Sequence, residues 1–209
     1  MEHDTNTSPR ILVAVDDPDL RRVCVAGLRA VGYNVSAPTD GDAAMLLAES
    51  FSPDVFVTDL RLTGPDGKPL HDRLRSSQEQ YLLCIAYDDQ PRVRTSVLQH
   101  GADDIMSAPI HADELGARCQ ALLRRPRRTV EQRVVDAPVA NTLQLGPLSV
   151  DLGRREVRVG DTEVQTTRIE FSLLEQLCRR PAEVCTREDL LDAVWGPRWV
   201  GDTHVVDVH

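Results

Sequence analysis

Positive charge is scarce in this chain and lysine nearly absent. Lys68 is the one lysine among 24 basic residues, against 33 Asp and Glu, for a formal net charge of −9. Divided after residue 125, the first part carries 13 basic and 19 acidic residues and the second 11 and 14. Neither part has the bulk positive charge that favours non-specific nucleic-acid binding, so charge alone does not point to DNA. Long apolar runs are missing as well: no stretch approaches the roughly 20 residues of a membrane-spanning helix. The opening MEHDTNTSPR carries acids and lacks the apolar core of a signal peptide. The cysteines Cys24, Cys84, Cys119, Cys178 and Cys185 are odd in number and form no C-x-x-C pair, which excludes the usual zinc and dithiol patterns. They read as reduced, mostly buried side chains of a cytoplasmic protein. What remains is ordinary globular composition, 41% hydrophobic and 27% charged, in 209 residues, enough for one large or two modest domains.

Up to residue 125, strand-like and helix-like segments alternate. An apolar run at 11–17 (ILVAVDD) precedes helical spacing over 19–33; a short strand at 34–38 precedes a helix at 42–51. A third strand at 54–59 leads into the breaker-rich loop 61–69 and a helix ending near Ser76. Strands at 81–87 and 102–107 alternate with helices at 91–100 and 111–125. Five strands alternating with five helices predict an α/β fold, a doubly wound five-stranded parallel sheet covered on both faces. Residues 1–8 read as a flexible terminus, 9–125 as the first domain, and 126–142, aperiodic with two prolines, as a linker.

The pattern changes in 143–209. Short strands at 143–145, 148–151, 156–159 and 163–165, separated by Gly-containing turns, predict an antiparallel meander. Helices follow at 167–179 and 187–195, the latter with Thr186 as N-cap. A third helix begins at Thr203, capped by Asp202 or Thr203, and the chain stops at His209, inside the element. A helix of so few residues is marginal by itself.

Three aspartates stand where apolar strands end: Asp16 and Asp17 after the first, Asp59 at the close of VFVTD. Open α/β sheets place their ligand sites at these ends. Three carboxylates gathered there can hold a hard cation such as Mg²⁺ and ready one of them to accept a phosphoryl group. Asp16-Asp17 taken alone is also a common helix-capping turn before Pro18.

In order and spacing these segments resemble the OmpR/PhoB family of response regulators. The marks are VDD (15–17), VTDLRLTGPDG (57–67), GADDI (101–105), API (108–110) and ELGARCQALLRR (114–125) in the first half. In the second they are REVRV (155–159), TTRIEFSLLEQLCRRPAEVCTREDLLDAVWG (166–196) and VVDVH (205–209). The resemblance implies a CheY/flavodoxin-like receiver followed by an α+β winged-helix DNA-binding domain, incomplete at its C-terminus. It makes Asp59 the phosphoacceptor and Asp16, Asp17 and Asp59 the Mg²⁺ ligands.

Four positions depart from the receiver pattern. The Thr or Ser that meets the phosphoryl group is Ala86, or Ile85 with a one-residue gap; the lysine before the fifth-strand proline is Ala108; the switch aromatic is Ile105; and Thr63 replaces a frequent proline. A phosphoryl group adds about −1.5 to −2 charge and needs donors or cations to order a new state. Phosphorylation of Asp59 is therefore expected to switch this receiver weakly or not at all. Arg61 is the nearest stand-in cation, otherwise a solvated loop arginine; Tyr87 is either a substitute aromatic switch or an ordinary half-buried tyrosine.

By the same resemblance, the receiver forms a homodimer through crossed ion pairs drawn from Arg92, Arg94, Asp103, Asp104, Glu114, Arg118 and Arg124, as a two-fold interface allows. The DNA contacts fall at Thr203, His204 and His209, while Val205, Val206 and Val208 face the core. The base-reading continuation and wing are absent, so this polypeptide is expected to bind DNA poorly. The function implied is a cytoplasmic, non-enzymatic transcriptional regulator whose receiver controls dimerisation. Its implied partners are promoter DNA, a sensor histidine kinase and possible small-molecule ligands, with no membrane. The other readings are a truncated dimerisation module without DNA binding and a Mg²⁺-dependent phosphohydrolase, which would need a phosphate-gripping base and a general acid that the sequence does not show.

Overall fold

The computed structural model describes residues 8–74, 80–88, 90–123, 142–197, 199 and 203–209. The chain divides into two compact units, Met1–Leu123 and Arg124–His209. The division falls two residues before the boundary read from the sequence. Residues 1–7 and all of the expected linker except Thr142 lie outside the described residues.

The first unit runs β1 (Arg10–Ala14), α1 (Pro18–Ala30), β2 (Asn34–Ser36), α2 (Gly41–Phe51), β3 (Val55–Asp59), α3 (Leu70–Leu74), β4 (Tyr81–Ala86), α4 (Pro91–Gln99), β5 (Asp104–Ser107) and α5 (Ala112–Leu123). All strand pairs are parallel, in the order β2-β1-β3-β4-β5. The connection leaves β2 on one side of β1 and resumes with β3 on the other, so the ends of β1 and β3 flank the point where the winding reverses. Doubly wound sheets bind ligands in that crevice.

The sequence explains the layering. β3 (VFVTD) and β4 (YLLCIA) are buried at every residue, as strands covered on both faces must be. On one face Ile11, Val13, Val57 and Leu83 pack with Leu28 of α1 and with Leu115, Cys119 and Leu122 of α5. The two helices cross closely at Gly27, where a Cβ would lie 2.6 Å from the Ala112 Cβ. Buried among these side chains, the Cys24 thiol is pushed up to about 11 by desolvation, which keeps it neutral and inert.

The second unit runs β6 (Thr142–Leu145), β7 (Leu148–Asp151), β8 (Glu156–Val159), β9 (Thr162–Val164), α6 (Arg168–Arg179), α7 (Arg187–Val194) and α8 (Val205–Val208). The four strands form the expected antiparallel meander. Its tight turns need positive φ, and glycine supplies it at Gly146 (57°) and Gly160 (60°). Val150 and Val157 pack against Phe171 and Cys178 of α6. Both longer helices open on capping boxes, Thr167 with Glu170 and Thr186 with Asp189, which satisfy the free N–H groups of the first turn. Buried Trp195 stacks obliquely on Trp199 at 5.9 Å and lies 6.5 Å from the His209 ring. The last helix differs from expectation: His204 occupies its cap position and makes no side-chain cap bond, Thr203 precedes it, and Asp202 lies outside the described residues.

Candidate functional site

Asp59 is fully buried at the end of β3. Its Oδ1 accepts the N–H groups of Arg61 (2.8 Å) and Leu62 (2.9 Å), and its Oδ2 accepts that of Asp16 (2.6 Å). Three backbone donors from the ends of β1 and β3 thus fix the carboxylate in one orientation. Asp16 and Asp17 sit beside it in the turn after β1, both exposed.

The helix-cap reading of Asp17 is realised: its Oδ1 accepts from Asp19 N (2.8 Å) and Leu20 N (3.0 Å) at the start of α1. These bonds, the one from Leu20 foremost, hold its carboxyl below the usual 3.8, with Arg61 and Arg21 adding attraction. The sequence missed Arg21, whose Nη1 donates to the Val15 carbonyl at 2.8 Å and stands by the same corner.

The three carboxylates expected to hold a metal stand at one corner, with Asp17 and Asp59 already engaged by backbone donors. Among the described residues no group of three or more His, Cys, Asp or Glu is placed to hold a metal ion. The donor chemistry suits Mg²⁺, but Asp17 faces its own helix and Asp59 faces backbone N–H groups.

The strand register settles which residue ends β4. Asp59 pairs with Ile85, and Ala86 is the last residue, paired with Ser107. Ala86 is fully buried and its carbonyl accepts from Ala108 N at 2.8 Å. Neither Ala86 nor Ala108 offers a side-chain donor or a charge, and Ile105 is buried in β5. Tyr87 and Arg61 are brought together instead: the Arg61 guanidinium lies 3.8 Å from the Tyr87 ring centroid. Burial, then the charge of Asp59, pushes the Tyr87 phenol up.

Of the residues expected to supply crossed dimer pairs, several are engaged within the chain. Asp103 is buried and its Oδ2 accepts from Leu82 N at 2.7 Å. Asp104 and Arg118 are also buried, and Arg118 joins Asp104 to Glu114 within one protomer (2.9 and 2.6 Å). Arg92 is exposed; Arg94 is half-buried, with Nη1 3.3 Å from Ser107 Oγ; Arg124 lies outside the described residues.

In the second unit Thr203 and His204 are exposed, and His204 pairs with Asp207 at 3.1 Å, which also takes Arg187 at 2.7 Å. His209 is turned partly inward, toward Trp195. Val205 is buried as expected, while Val206 and Val208 are half-buried.

The architecture defines a receiver-like sheet with an acidic corner, joined to a smaller sheet-and-helix domain. Residues 11–120 match the family described as response regulator receiver domain, and residues 161–209 match transcriptional regulatory protein, C terminal. The chain is 36% identical over 207 residues to the transcriptional regulatory protein PrrA of Mycobacterium tuberculosis, covering 97% of this chain and 84% of that one. It is 33% identical over 200 residues to the DNA-binding response regulator MtrA of Mycolicibacterium smegmatis, covering 96% and 84%. The response regulator DrrB, an OmpR/PhoB homologue of Thermotoga maritima, shares the fold with TM-score 0.51 at 21% identity, over 96% of this chain and 85% of that one. The chain belongs to the OmpR/PhoB-type response regulators: it is a DNA-binding transcriptional response regulator of the two-component type.

Proposed function

We propose that Asp59 is the phosphoacceptor of this regulator and that its occupation is weakly coupled to dimerisation, leaving promoter binding largely independent of phosphorylation. The observation that carries this is the pair of alanines at the end of β4 and just past β5, Ala86 and Ala108, whose side chains can neither donate to a phosphoryl oxygen nor balance its charge. Acceptance itself needs less. An Asp59 oxygen attacks the phosphorus of acetyl phosphate, an O–P bond forms, and acetate leaves with the electron pair of the broken P–O bond. Mg²⁺, when bound, offsets the charge of that transfer. Asp16, Asp17 and Asp59 are the residues that would hold it.

In this reading the protein is a cytoplasmic homodimer acting on promoter DNA and served by a sensor kinase, with regulation rather than catalysis as its task. Among the described residues no helix is long and apolar enough to cross a membrane.

The test restores what is missing. Ala86→Ser with Ala108→Lys should make dimerisation respond to acetyl phosphate and Mg²⁺, where the parent responds little. A parent that already responds as strongly as the double variant contradicts the proposal.

A further inference from the structure

The phenol of Tyr87, just past the end of β4, carries a donor with no acceptor among the described residues. Its hydroxyl oxygen is covered, yet among the described residues it has no hydrogen-bond partner. Buried polar groups are paired in the great majority of cases, so an unpaired one asks for a missing partner. Its surroundings say what kind. The Tyr87 ring carries the Arg61 guanidinium at 3.8 Å, and the charges of Asp59, Asp17 and Asp16 all act on the phenol. Arg61 is also tied to Asp59 through its backbone, since its N–H donates to Asp59 Oδ1 at 2.8 Å. The side chain therefore starts from the residue that grips the acceptor and reaches back over the residue that follows β4.

We propose that Arg61 and Tyr87 form a substitute oxyanion clamp for a phosphoryl group on Asp59, the Tyr87 hydroxyl donating one hydrogen bond and the Arg61 guanidinium supplying the cation. This rests on the reading of Asp59 as acceptor. Stacking on the ring limits the rotamers of a long side chain, so less freedom is lost when Arg61 engages an anion. The clamp differs from an arrangement at the strand ends in what it connects. Arg61 lies in the loop after β3 and Tyr87 just beyond β4, so both hold the anion at the mouth. Neither draws on Ala108 or Ile105, beyond and within β5. Retention of the phosphoryl group is thus separated from rearrangement of the strands, which is why a clamped phosphoryl group still switches weakly.

The probe is beryllofluoride, a phosphoryl mimic, bound to the whole chain in the presence of Mg²⁺ and followed by fluorine NMR. The parent should bind it, and Asp59→Asn should not. Tyr87→Phe and Arg61→Gln should each weaken binding about tenfold, as expected for loss of one hydrogen bond to a charged group. In the parent the bound-fluorine resonances should shift when the solvent is changed to D₂O, and Tyr87→Phe should reduce the shift of one of them while leaving the fold's amide spectrum unchanged. If the parent binds, Asp59→Asn abolishes binding and both clamp variants bind like the parent, the acceptor reading stands and the clamp is overturned. If the parent does not bind, or Asp59→Asn binds equally well, the acceptor reading and the clamp fall together.

Discussion

Arg118 grips Asp104 inside a single protomer: its Nη1 donates to both carboxylate oxygens, at 2.9 and 3.1 Å, with the two side chains only 6% and 4% exposed. Its Nε and Nη2 donate to Glu114 Oε1, one turn earlier on α5, at 2.9 and 2.6 Å. The network ties β5 to α5, the face expected to meet a second copy. Removing one member leaves a buried charge without its partner, so Arg118→Ala should cost about 3–5 kcal/mol. Replacing the pair by Arg118→Met with Asp104→Leu should recover most of the loss. Urea denaturation of the three proteins checks both statements; an Arg118→Ala midpoint equal to that of the parent would place the pair outside the core.

Gly27 is required by the crossing of α1 and α5. Alanine is normally the better helix former by about 1 kcal/mol. Here its Cβ would lie 2.6 Å from the Ala112 Cβ, so the helices must part and the sign reverses. Gly27→Ala should lower the thermal midpoint, and Gly27→Ala with Ala112→Gly should bring it back.

Acid should loosen the helix ends before the cores. The carboxyls of Asp17, Asp189 and Asp207 are held below 3.8, by the Leu20 N–H, the Thr186 hydroxyl and Arg187 respectively. A folded-state value depressed below the unfolded one contributes stability that is present above 3.8 and is lost as the pH falls through the folded values. Thermal midpoints should therefore drop on acidification below 3.8. Asp189→Asn should show a shallower drop, with a lower midpoint than the parent at neutral pH.

Much of this architecture was legible in the sequence because the periodicities were strong. VFVTD and the helical spacing of 114–123 leave little choice, and Thr186 with Asp189 is a capping box in plain text. The candidate site was legible only in part. Asp59 stood out because an acid at the end of an apolar strand has few structural reasons to be there. That Arg118 closes on Asp104 and Glu114 within the chain was not legible, since ion pairs within a chain and between copies have the same spelling. Arg21 and the stack of Arg61 on Tyr87 depend on contacts between loops, which no local pattern records. The weak last helix was misplaced by two residues because its start has no side-chain cap to mark it.

The most direct measurement is the dimer dissociation constant, by sedimentation equilibrium, with and without acetyl phosphate and Mg²⁺, for the parent and Asp59→Asn, with occupancy of Asp59 read by intact mass. The expected result is a phosphorylated parent whose constant changes less than about fivefold, the lower edge of ordinary allosteric coupling. Tightening of about a hundredfold or more on phosphorylation, abolished in Asp59→Asn, would contradict it.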